Sequence, residues 1–125
     1  MLNQKEAIAM IAVKNIQEAA KFYEGTLGLA RDGTEGEEVI TYRSGSTRIN
    51  VYHSQYAGTN KATAVVWNVG DEMESIVASL KSKGVTFEHY DMPGLTLQGD
   101  IHVGGDMKVA WFKDPDGNIL SLVTG

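Results

Sequence analysis

Apolar residues crowd positions 7–13 (AIAMIAV), and then the rhythm changes: Ile16, Ala19, Ala20, Tyr23 and Leu27 recur at three- and four-residue spacing. The first run predicts a strand and the second an amphipathic helix with one buried stripe. Asn15 and Glu18 stand at capping-box spacing where that helix begins, and Gly28 follows its last apolar position. Side-chain oxygens there can accept from the amides that a first turn leaves unpaired, and a glycine relieves the terminus. Adding 56 to these numbers finds the pattern again. Positions 63–69 are an uncharged, largely apolar strand, Asp71 and Glu74 repeat the cap, Met73, Ile76, Val77 and Leu80 form the stripe, and Gly84 ends it. The chain therefore reads as two modules in register.

Short strands follow each helix. The pattern predicts them at 29–32, 39–43 and 48–53 in the first module, and at 85–90, 108–113 and 118–123 in the second. The last two flank Asp114-Pro115-Asp116-Gly117. Proline presets φ for the second turn position and glycine relieves the fourth, so a closing hairpin is expected. Each module reads β-α-β-β-β. The stretch 91–106 holds Pro93 and four glycines and is longer than a hairpin loop needs. It reads as a long loop, either a lid over a site or a plain connection.

Composition narrows the function classes. At 125 residues and 42% hydrophobic content, the chain suits one domain spanning 1–125, with modules at about 6–56 and 62–125. A net charge of −5, with lysines and arginines scattered, argues against nucleic acid and anionic membrane as partners. With no cysteine there is no disulfide and no thiolate chemistry. The amino-terminal apolar run is too short for a signal peptide or a membrane span, so a cytoplasmic protein is expected.

The paired modules, the Phe22-Tyr23 pair, the Leu27-Gly28-Leu29 helix exit and the DPDGN turn at 114–118 together resemble the vicinal oxygen chelate superfamily over nearly the whole chain. This is the glyoxalase/bleomycin resistance protein/dioxygenase family, and the likeness is to its uncharacterised glyoxalase-like members. The resemblance implies an α+β fold in which paired βαβββ modules curl a mixed sheet around a cleft, with helices on the convex side. It also implies four metal-ligand positions, on the first and last strand of each module. Carried over, they fall on Ile8, Asn50, Ala64 and Ser121. None is a usual divalent-metal ligand. The expectation is a cleft with no metal and no cofactor.

Alternation along strands divides cleft from core. It assigns Met10, Asn50, Tyr52, Val66, Asn68, Trp111 and Ser121 to ligand binding, with Ile8, Ala64 and Val109 on the same face. Ile11, Val51, Val65, Trp67 and Phe112 then face the helices. His53, His89 and His102 form no close pair at ligand spacing, and each reads first as a surface or capping histidine. His102, placed in the long loop, joins Tyr52 and Asp106 as the acid–base candidates. The expected function is metal-free binding of an organic small molecule in an apolar cleft, sequestering an antibiotic or metabolite, with an acidic protein suited to a cationic or aromatic drug. The alternative is a glyoxalase-like lyase or isomerase acting on a small oxygenated substrate; a third reading is a vestigial cleft in a protein that works through partners. Sheet edges and the family's habits imply a homodimer.

Overall fold

In the computed structural model, which describes residues 1–34 and 36–124, Asn15 Oδ1 accepts the Glu18 amide at 2.9 Å and caps helix α1 (Ile16–Ala20). The helix runs on as a wider π-helical segment over Lys21–Thr26, where the Leu27 amide reaches back to the Phe22 carbonyl at 2.9 Å. Gly28, at φ +74°, then reverses the chain. The chain divides into two compact units, Met1–Thr59 and Asn60–Gly125.

The first unit holds β1 (Ala9–Val13), β2 (Ala30–Thr34), β3 (Val39–Ser44) and β4 (Thr47–His53) in the order β1-β4-β3-β2. β1 and β4 run parallel and the other pairs antiparallel. One face buries Ile11, Val13, Ile40, Tyr42, Ile49 and Val51 together with Ala19 and Tyr23 from the helical segment. Full burial of an aliphatic side chain contributes about 1.5–3 kcal/mol, so this face holds the unit together. Tyr42 stacks on Tyr23 with centroids 6.1 Å apart, and its hydroxyl donates to Glu24 Oε2 at 2.7 Å. Arg31 donates to the same oxygen at 2.5 Å. The Arg31 hydrogen bond, seconded by Tyr42, holds the Glu24 carboxyl below its ordinary range. Burial, and then donation to Glu24, push the Tyr42 phenol up.

The second unit holds β5 (Thr63–Asn68), helix α2 (Met73–Ser82), β6 (Phe87–Glu88), β7 (Thr96–Gln98), β8 (Ile101–Gly104), β9 (Met107–Lys113) and β10 (Ile119–Val123). The sheet order is β5-β10-β9-β8-β7, and β6 pairs with the other half of the β9 edge that β8 occupies. Met73, Val77 and Leu80 of α2 are buried, as are Phe87, Ala110, Phe112, Leu120 and Leu122, which share one sheet face by register. Lys108, on that same face by alternation, pairs with Glu74 of α2. Gly84, at φ +93°, closes the helix: the Gly84 and Val85 amides donate to Lys81 and Leu80 carbonyls, a Schellman ending.

Three sequence expectations change. Asp71 does not cap α2; a 3₁₀ turn over Gly70–Glu72 leads into the helix, and the Gly70 amide is taken by Asn68 Oδ1 at 3.1 Å. The stretch 91–106 is not one loop. Pro93 and Gly94 (φ +83°) occupy the centre of a turn closed by Leu95 N–H to Met92 C=O, and the β7–β8 hairpin follows and extends the sheet. His102 accordingly sits on a strand. The closing turn forms as read: Gly117 donates to the Asp114 carbonyl at 3.0 Å, and Asp114 Oδ1 accepts the Asp116 and Asn118 amides at 2.9 Å each. Among the described residues no helix is long and apolar enough to cross a membrane.

Candidate functional site

Each sheet packs its main apolar set against its own unit's helical segment on one face; on the opposite, helix-free face the second unit still buries Val109, His102 and Ser121. In the first unit, register places Met10, Asn50 and Thr41 in one row across β1, β4 and β3, with Ala12, Tyr52 and Val39 in the next. Thr41 Oγ1–H donates to Asn50 Oδ1 at 2.8 Å and fixes the amide's orientation. Asn50 and Tyr52 are half-buried, and Met10 is exposed (53%).

The second unit repeats the plan. Val66, Ser121, Trp111 and Glu88 form one row across β5, β10, β9 and β6, and Asn68, Val123, Val109 and His102 form the next. Val66 is exposed (54%), Asn68 is exposed, Trp111 is half-buried and Ser121 is buried. The Trp111 ring lies edge-on to His102 at 4.8 Å and to Tyr90 at 5.2 Å. Those two rings hold the indole in one orientation on the face.

His102 is buried, and both ring nitrogens are engaged by main chain. The Tyr90 amide donates to Nε2 at 3.0 Å, and Nδ1 lies 3.3 Å from the Val109 carbonyl. An amide can only donate and a carbonyl only accept, so the ring is a neutral Nδ1–H tautomer. A proton acceptor already occupied in this way has no lone pair to offer a substrate. Asp106 lies in the exposed two-residue turn between β8 and β9, at the hairpin's end. Tyr52 belongs to the other unit. The structure therefore gathers Met10 with Asn50, and Val66, Ser121 and His102 with Trp111, but leaves Asp106 apart in the β8–β9 turn.

The donor set does not fit a metal. Ile8 and Ala64 carry hydrocarbon only, Ser121 is a buried hydroxyl, and Asn50 spends its oxygen on Thr41. No imidazole or carboxylate stands at any of the four positions. Among the described residues no group of three His, Asp or Glu side chains is placed to hold an ion. A groove of about 410 Å³ lies on the first unit beside Ile16, Ala20, Arg31 and Ile40. Ile40 belongs to the buried, helix-packed face, so the groove lies away from Asn50 and Met10.

Sequence reasoning missed Thr41, Tyr90 and the row of charged residues at Asp32, Arg43 and Arg48 beside Asn50. A two-residue turn at Gly45-Ser46 sets Arg43 opposite Arg48, a register that strands read only as 39–43 and 48–53 did not fix.

The family model described as Glyoxalase/Bleomycin resistance protein/Dioxygenase superfamily matches residues 7–122. Solved structures share the fold. A glyoxalase family protein from Enterococcus faecalis is 21% identical, with 98% of this chain and 99% of that one covered and a TM-score of 0.71. The fosfomycin resistance protein FosX from Mesorhizobium loti is 10% identical, with 100% and 94% covered and a TM-score of 0.70. Lactoylglutathione lyase from Agrobacterium tumefaciens is 12% identical, with 98% and 94% covered and a TM-score of 0.69. No curated protein matches the chain.

Proposed function

The chain belongs to the Glyoxalase/Bleomycin resistance protein/Dioxygenase superfamily, and from that premise we propose that it binds an organic small molecule on the helix-free faces of its sheets, without a metal ion, as a cytoplasmic homodimer of one domain per chain. The observation that carries this reading is Trp111: a half-buried indole, braced by His102 and Tyr90, in the same row as Val66 and Ser121. A large aromatic held still beside small and apolar side chains favours capture of an apolar or aromatic group. Met10, Asn50 and Tyr52 supply the same mixture in the other unit, with Asn68 at the margin of the Trp111 face. The engagement of both His102 nitrogens by main chain favours binding over acid–base chemistry. Solved structures with this fold include a fosfomycin resistance protein and a lactoylglutathione lyase, so the fold by itself does not choose between capture and chemistry.

Dimerisation is supported by edges. β1 and β5 each end their sheet, and exposed Ile8 and Met10 flank one edge as Val66 does the other. Covering them in a second copy removes apolar surface from water and pairs open backbone.

Native mass spectrometry of freshly purified protein, followed by denaturation, tests the binding. The expected result is a dimer carrying an organic adduct of a few hundred daltons, on the scale of a drug-sized ligand, which Trp111→Ala loses while remaining folded. A stoichiometric transition metal retained through dialysis would overturn the metal-free reading, and an adduct indifferent to Trp111→Ala would move the site elsewhere.

A further inference from the structure

Arg43 and Arg48 face each other across the β3–β4 hairpin, one register pair in from its tip. Both converge on one carboxylate: Arg43 Nη2 lies 3.1 Å and Arg48 Nε 3.0 Å from Asp32 Oδ2. Like charges directly opposite on a sheet repel, so Asp32 offsets part of that repulsion and leaves the trio with one net positive charge. The arginine side chains stay 47% and 46% exposed, against 29% for Asp32. Each guanidinium carries five N–H donors in a planar fork, and the carboxylate engages one nitrogen of each.

Alternation puts Arg43 on the face of Thr41 and Arg48 on the face of Asn50, which is the helix-free face. The other residues that register assigns there, Met10, Ala12, Val39, Thr41, Asn50 and Tyr52, are all uncharged. In a protein of net charge −5, this face is locally positive. Whole-chain charge suggests a cationic ligand; the local arrangement argues for the opposite sign.

We propose that Arg43 and Arg48 form an oxyanion subsite, recognising a carboxylate or phosphorus oxyanion on an organic ligand whose apolar part lies against Met10 and Tyr52. The inference rests on the binding role proposed above and names its ligand class. Planar guanidinium forks match two-oxygen anions in a way that ammonium groups do not. Asn50, the next residue along the same face from Arg48, has its amide oxygen held by Thr41. Asp32 holds the two forks together in the absence of a ligand and competes with an incoming anion for them.

The test is a ¹⁵N NMR titration of the full chain with benzoate, phenylphosphonate and neutral benzamide at low salt. Benzoate or phenylphosphonate should bind at least about fivefold more tightly than benzamide, as expected for charge-assisted contacts at a partly exposed site, and should shift the amides of residues 41–43 and 48–52. The preferred anion distinguishes a carboxylate from a phosphorus oxyanion. Arg43→Gln with Arg48→Gln should bring anion affinity down to that of benzamide, the lysine pair should retain part of it, and Asp32→Asn should raise it. Equal binding of all three probes at this face, unmoved by the arginine changes, would overturn the subsite and leave the small-molecule reading standing. No shifts on either helix-free face would overturn both.

Discussion

Replacing His102 by Phe keeps a ring of similar size inside the second unit and removes both nitrogens. The Tyr90 amide then loses its acceptor at 3.0 Å, and the Val109 carbonyl loses a donor at 3.3 Å. An unsatisfied buried polar group costs about 1–3 kcal/mol. The shorter Tyr90 bond should account for most of the effect, and the longer Val109 bond should add less. The expected destabilisation is about 2–4 kcal/mol, or roughly 4 °C in Tm per kcal/mol for a chain of this length. His102→Ala should cost more, because it also removes ring contacts with Trp111 and Tyr90 and opens a cavity. Urea unfolding followed by far-UV circular dichroism measures both variants, and the indole N–H resonance of Trp111 reports whether the brace is lost. A His102→Phe protein within about 0.5 kcal/mol of the parent, the scale of a neutral surface change, would refute the assignment of His102 as a structural anchor. Loss of an activity without loss of stability would restore it as an acid–base group.

Gly104→Ala should be destabilising by about 1–3 kcal/mol, because a Cβ there would lie 2.6 Å from Leu95 Cδ2 and 2.7 Å from the Gly94 carbonyl oxygen; hydrogen exchange should show the loss concentrated in β7 and β8. The Arg31 hydrogen bond holds the Glu24 carboxyl below its ordinary value of 4.5, so its contribution is present above about pH 4.5 and is lost as pH falls through the lower folded value. Its side chain is 36% exposed, so solvent screening limits the effect to no more than about 1 kcal/mol. Glu24→Gln should remove that acid-side loss in urea titrations, and an unchanged slope between pH 5 and pH 3, the range in which a carboxylate titrates, would contradict it.

The two-module plan was legible because its signals are local. Asn15 caps where its spacing with Glu18 says it should, Gly28 and Gly84 end their helices at positive φ, and Asp114-Pro115-Asp116-Gly117 closes its hairpin. Strand alternation also sorted the faces: Trp111 shares a row with Ser121 and Val66, while Phe112 is buried with Leu120. The reading of 91–106 failed on turn chemistry. Gly99-Asp100 and Gly105-Asp106 are two-residue turns led by glycines at φ +65° and +58°, a hairpin signal that is easily lost when glycines are read only as flexibility. Asp71 misled because the acidic side chain suits a cap, whereas Asn68, three residues earlier, intercepts the Gly70 amide. The arginine pair was hidden because lysines and arginines looked scattered along the chain; only cross-strand register brings Arg43 opposite Arg48, with Asp32 arriving from β2. Trp67, expected to pack against a helix, is only half-buried.

Under the proposed function, the helix-free faces bind an organic molecule and need no metal to do so. An NMR screen of small aromatic acids and amides against the ¹⁵N-labelled protein, run with and without a strong chelator, tests it most directly. Shifts should gather on the amides around Asn50, Tyr52, Val66 and Trp111, with the same affinities in both conditions. Shifts confined to the groove beside Ile16 and Arg31, or binding that vanishes with chelator and returns with a divalent cation, would contradict it.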